Sequence, residues 1–109
     1  ELWIARKKFQ SASDIAKSQG TPDRWKELKF LVFDAPDAPG PFEDRVKFLA
    51  DAHPAWKNPF TTLVEHAVCT GNGHLSEELE RVTALGGEGL MVRQPGSKYE
   101  RNRSSTILK

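Results

Sequence analysis

The chain has 109 residues, 28% charged and 38% apolar, with a formal net charge of +1. That mix excludes a disordered tail and leads us to expect one small soluble domain with a modest core. No apolar run approaches a membrane span, and the single cysteine excludes an internal disulfide.

Residues 1–5 (ELWIA) read as a strand that is already under way, and residues 106–109 (TILK) read as another. Both ends therefore lead us to expect a piece of a larger domain. Residues 9–19 read as a short helix, with Ser11, Ser13 and Asp14 as candidate caps and Gly20 as the stop. Thr21-Pro22-Asp23 is a loop. Residues 28–33 (LKFLVF) form a continuous apolar run, the pattern of a central strand. Residues 35–41 (APDAPGP) must be a loop. Residues 41–52 then read as a helix. Proline suits the first turn, Glu43 and Asp44 favour the positive end of the dipole, and Phe42, Val46 and Leu49 share a face.

Residues 53–61 read as a loop and 63–69 as a strand. Residues 71–74 are a turn, and Ser76 caps a helix running to about Leu85. Glu77 and Glu78 fall in its first turn, Leu75, Leu79 and Val82 share a face, and Gly86 ends it. Residues 87–94 read as a strand, Pro95-Gly96-Ser97 as a turn, and 105–109 as a last strand. The order is β-α-β-α-β-α-β-β. Helices between strands admit a parallel sheet, but the last pair looks antiparallel, so we expect an α+β fold, mainly antiparallel, with packed helices. The aromatic residues Trp3, Trp25, Phe30, Phe33, Phe42, Phe48 and Trp56 are core by default, although one near a strand end can stack on a base.

Charge is uneven. Arg93, Lys98, Arg101, Arg103 and Lys109 stand against Glu100 alone in the last 17 residues, and Arg6-Lys7-Lys8 adds a second basic point. Local positive charge serves phosphates even when the total is near zero. Short clusters such as residues 6–8 are more often plain surface.

Gly86-Gly87-Glu88-Gly89 imitates a phosphate loop, but such loops follow a strand and open a helix, and here the order is reversed. A helix cap followed by a strand start explains the glycines and leaves Glu88 unexplained, because an acid entering a buried strand is costly without a partner. His66, Cys69 and His74 lack the paired spacing of a zinc site. His66 reads as a strand residue and Cys69 as a small buried side chain. No nucleophile elbow occurs. What remains is Glu1 and Glu88 at strand edges, Phe33-Asp34 ending a buried strand, Arg103 before Ser104-Ser105, and Lys109 ending the last. Those are the group types a nucleoside triphosphate and its magnesium need.

At these residues the chain resembles the adenylation domain of ATP-dependent DNA ligases, in the covalent nucleotidyltransferase superfamily. Glu1-Leu2-Trp3 is similar to the end of the third motif. Phe30-Leu31-Val32-Phe33-Asp34 is similar to the motif between the third and fourth. Glu88-Gly89-Leu90-Met91-Val92-Arg93 resembles the fourth, and Ser104-Ser105-Thr106-Ile107-Leu108-Lys109 the opening of the fifth. The four come in the family's order, and the spacing resembles that of the small bacterial ligases.

The resemblance implies a partial nucleotidyltransferase (ATP-grasp-like) domain over residues 1–109. Glu1 would bond the ribose of ATP and Phe33 would stack on adenine. Glu88 would act through Mg2+ near the α-phosphate, and Lys109 would contact that phosphate. Arg103 would lie near AMP or the nick phosphate, and Lys98 and Arg101 near the DNA backbone. The implied activity is the sealing of nicked double-stranded DNA through enzyme-AMP and DNA-adenylate intermediates, in repair, replication or recombination. The implied protein is a monomer without a membrane partner. The first-motif lysine, in Lys-x-Asp-Gly, does not occur here, nor does an oligonucleotide-binding domain, so this piece alone is expected to be inactive. An RNA ligase or capping guanylyltransferase is a sister reading, and a non-catalytic nucleic-acid-binding module is a reading from another class.

Overall fold

The computed structural model describes residues 1–20 and 23–109; Thr21 and Pro22, in the loop expected over 21–23, lie outside the described residues. The chain forms β1 (Leu2–Trp3), α1 (Phe9–Lys17), a 3-10 turn (Arg24–Glu27), β2 (Lys29–Val32) and α2 (Phe42–Ala52). A second 3-10 turn (His53–Ala55), β3 (Thr61–Leu63), α3 (Asn72–Ala84), β4 (Val92–Arg93) and β5 (Ile107–Leu108) follow. The order of strands and helices is the expected one, and the fold is mixed α+β.

β2 is the central strand of a three-stranded sheet, antiparallel to β1 and parallel to β3. The expectation of a mainly antiparallel sheet holds for β1–β2 and for the separate β4–β5 pair, and fails for β2–β3. The physical reason is the connection. α2 carries the chain back along the sheet, so β3 re-enters in the direction of β2.

Strands are shorter than the apolar runs. β3 stops at Leu63 where residues 63–69 had promised a strand. Val64 N–H still donates to Val32 O at 2.8 Å, but β2 ends there and leaves β3 no ladder to continue. His66 is therefore not a strand residue, and Cys69 is exposed rather than buried.

The helix caps also differ. α1 begins at Phe9 with Lys8 in the cap position and no side-chain cap. Ser11, Ser13 and Asp14 fall inside it, and Asp14 instead accepts from Gln10 Nε2 at 2.7 Å. α3 begins at Asn72, so the turn expected over 71–74 is its first turn and Ser76 lies in its interior.

The core is small and aliphatic. Ile15 and Ala12, three residues apart on α1, pack with Leu28 and Ile4. The aromatics do not form it: Trp25, Phe30, Phe33 and Phe48 are all exposed. On α2 the expected face buries Leu49, but its most buried member is Arg45. Among the described residues no helix is long and apolar enough to cross a membrane.

Candidate functional site

Two charged clusters lie beside the sheets, one exposed in a cleft and one buried. The cleft has a volume of about 250 Å³, and its walls include Glu1, Trp3, Arg6, Lys7, Gly87 and Glu88. One wall is β1 and the turn after it. The other is the loop that leaves α3.

Backbone hydrogen bonds hold both walls. The N-terminal amine of Glu1 donates to Leu31 O at 2.8 Å, and Leu31 N–H donates to Glu1 O at 2.7 Å. Glu1 therefore stands opposite Leu31, two residues before Phe33. The Phe33 ring is half-exposed and does not line the cleft. On the other wall, Gly86 N–H donates to Thr83 O at 2.8 Å and Gly87 N–H to Val82 O at 2.9 Å. These two bonds close the last turn of α3 with Gly86 in the left-handed region, φ 80°. A Cβ on Gly87 would lie 2.5 Å from Val82 Cγ1 and 2.7 Å from Arg6 Nη1. Only glycine lets this loop close onto both neighbours.

That closure delivers Glu88 to the cleft. The acid is not entering a buried strand, as the sequence had led us to expect: its side chain is 90% exposed, and β4 starts four residues later. No desolvation cost has to be met there. The β4–β5 register pairs Val92 with Leu108. It brings the next residue, Lys109, back toward Glu88, with Nζ 3.6 Å from Oε2. Both side chains are open to solvent, so the pair is weak and readily exchanged for another ion.

The structure thus gathers Glu1 and Glu88 in one cleft and sets Lys109 beside Glu88. It holds Phe33 apart from the cleft lining, near Glu1 along the sheet. Lys98, Arg101 and Arg103 lie on the exposed connection between β4 and β5. Among the described residues none of these three has a carboxylate within 4 Å. Ser104 Oγ lies 2.6 Å from Thr106 Oγ1 and accepts from Thr106 N–H at 3.1 Å, fixing the turn into β5.

Among the described residues no group of three His, Cys, Asp or Glu side chains could hold a metal ion by itself. His74 Nδ1 instead lies 3.2 Å from Thr70 N. Magnesium asks for less, since it is often held by one or two carboxylates together with water and substrate phosphates. An exposed single carboxylate, Glu88, fits that requirement.

Sequence reasoning missed the buried cluster. Asp34 accepts from Arg45 Nε at 2.7 Å, Arg45 Nη2 at 3.2 Å and Ala35 N–H at 2.8 Å. Arg93 Nη2 is 3.4 Å from its second oxygen. Arg45 Nη1 also donates to Gly40 O at 3.2 Å and Ser97 O at 3.3 Å. Arg93 lies over the Phe42 ring at 4.4 Å. Burial pushes the Asp34 carboxyl up, but hydrogen bonds from Arg45 and Ala35 and the charges of Arg45 and Arg93 outweigh it and hold it below its usual range. The cluster ties the end of β2 to α2, to Ser97 and to β4, and so fixes the strand that follows Glu88. One signal was available: Arg45 lies three residues after Phe42 and four before Leu49, on the face already read as apolar.

No protein-family model matches the chain. It is 39% identical over 110 aligned positions to a DNA ligase of Haemophilus influenzae, covering 100% of this chain and 40% of that protein. Among solved structures it is similar to one described as "DNA binding with a minimal scaffold: Structure-function analysis of Lig E DNA ligases". The TM-score is 0.88 at 36% identity, covering 99% of this chain and 43% of the other. The chain is thus similar to DNA ligases along its whole length and spans about two fifths of the length of each relative.

Proposed function

We propose that the chain is the nucleotide-holding part of the adenylation domain of an ATP-dependent DNA ligase, a monomer that seals nicks in double-stranded DNA. The observation that carries this reading is the cleft: Glu1 and Glu88 line it together, and Lys109 Nζ is 3.6 Å from Glu88. The similarity to DNA ligases in both sequence and fold supports it.

In this reading each residue acts by position and charge. Glu1 accepts hydrogen bonds from the ribose hydroxyls. Phe33, with its exposed ring, stacks on adenine. Lys109 gives up its loose pair with Glu88 and turns its ammonium to the α-phosphate, where negative charge grows during transfer. Glu88 holds magnesium, which when bound neutralises and orients phosphate oxygens. Lys98, Arg101 and Arg103 meet the phosphates of the nicked duplex. A lysine outside these 109 residues takes the AMP, because no Lys-x-Asp-Gly occurs among them.

The test is nick sealing by the full-length protein that carries this chain, with ATP and magnesium. Glu88→Ala and Lys109→Ala should each lower the rate by about a hundredfold or more, as expected for removing a group aimed at developing charge. Circular dichroism should be unchanged. Full sealing by Glu88→Ala would remove Glu88 from the mechanism, and no sealing by the unaltered protein would remove the ligase reading.

A further inference from the structure

We propose that Arg6 and Lys7 form a polyphosphate-binding wall of the cleft, gripping the phosphates of a nucleotide beyond the first; the nucleotide part of this inference rests on the function proposed above. Both residues line the same cleft as Glu1 and Glu88. With Lys8, which also lines it, they make three successive cations against those two carboxylates. Neither carboxylate pairs with them: among the described residues no salt bridge involves Arg6, Lys7 or Lys8, and Glu88 pairs with Lys109 instead.

Two features separate this segment from an ordinary solvated basic run. The first is its seating. Arg6 Nη1 would stand 2.7 Å from a Cβ on Gly87, and Lys7 Cε 3.8 Å from one on Gly86. The two side chains therefore reach across to the glycines that lead into Glu88 while staying exposed to solvent. The second is backbone strain. Lys7 has φ 61°, in the left-handed region that lysine rarely adopts. Strain of this kind persists where the surrounding structure holds it and gathers at ligand sites. The turn is held by Lys8 N–H donating to Ala5 O at 3.2 Å and Ala12 N–H to Lys8 O at 3.0 Å.

Division of labour follows from position. Lys109 faces Glu88 from the β5 side, and Arg6 and Lys7 line the cleft from the β1 side. A nucleotide whose ribose meets Glu1 and whose first phosphate meets Lys109 would extend its remaining phosphates toward Arg6 and Lys7. Guanidinium suits bidentate bonding to phosphate oxygens, and the ammonium adds a point charge.

The test is isothermal titration calorimetry on the full-length protein, without magnesium, using ATP, AMP and inorganic tripolyphosphate. Arg6→Ala and Lys7→Gly are the variants; the glycine keeps the left-handed backbone while removing the charge. Each should weaken ATP and tripolyphosphate by about tenfold, the scale of one charge-assisted hydrogen bond, and leave AMP within about twofold. Equal losses for ATP and AMP, no loss for either, or a loss confined to nicked DNA would each overturn the proposal, the last by assigning these cations to the DNA backbone. Failure here is separable from failure of the ligase reading. An unaltered protein that binds tripolyphosphate but never takes AMP sinks the ligase reading alone. One that takes AMP while both variants bind ATP normally sinks the wall alone.

Discussion

Replacing Asp34 by alanine should destabilise the protein far more than any exposed substitution. The side chain is 3% exposed and meets two guanidiniums. Its loss would leave Arg45, 1% exposed, with the Gly40 and Ser97 carbonyls at 3.2 and 3.3 Å as its hydrogen-bond acceptors among the described residues. Breaking a buried pair by removing one partner costs about 3–5 kcal/mol, because the remaining charge stays desolvated. That is a large part of the 5–15 kcal/mol of a typical domain. Chemical denaturation of the full-length protein, followed by fluorescence, reads the loss as a lower midpoint at unchanged slope. The pH dependence carries a second signature. The Asp34 carboxyl is held below its ordinary value of 3.8, so its contribution is present above that value and is lost as pH falls through the lowered one. Asp34→Ala should therefore be flatter than the unaltered protein below pH 4, and the gap between them should narrow. A loss under about 1 kcal/mol, or parallel pH curves, would refute the view that the cluster is a buried charge network.

Other expectations follow from the same geometry and, where nick sealing or DNA binding is read, from the proposed function. Gly87→Ala would press a methyl group against Val82 and Arg6, so stability should fall by about 1–3 kcal/mol and nick sealing with it; normal melting and sealing would show that the loop tolerates a side chain. Ile15→Ala empties the centre of the aliphatic core and should cost about 2–5 kcal/mol in denaturation, with sealing retained at low temperature. Arg103→Ala should weaken DNA binding for all sequences and reduce its salt dependence by about one ion, read by titration at several salt concentrations; an unchanged salt slope would place Arg103 off the DNA.

The order of strands and helices was legible because apolar runs, prolines and glycines punctuate this chain clearly. Gly86 ended α3 as expected, through the two bonds that only a left-handed residue allows. The parallel pairing of β2 with β3 was not legible, since it depends on where α2 returns the chain. The length of β3 depends on its neighbour rather than on its own residues, which is why Val64 to Cys69 looked like strand and is not. Glu1, Glu88 and Lys109 were singled out from the sequence, and the fold brings them within one neighbourhood. Arg45 was passed over because a charged residue on an apolar face reads as surface until its partner is known. Arg6 and Lys7 read as surface and are exposed, but nothing local reveals that Gly86 and Gly87, some 80 residues away, come up against them.

The most direct test of the proposed ligase chemistry is the covalent state of the full-length protein. It should first be treated with pyrophosphate to strip any AMP already bound, then given ATP and magnesium and examined by intact-mass spectrometry. One AMP should appear on a lysine outside residues 1–109, with the adduct greatly reduced in Lys109→Ala. A stripped, folded protein that takes up no AMP would contradict that chemistry.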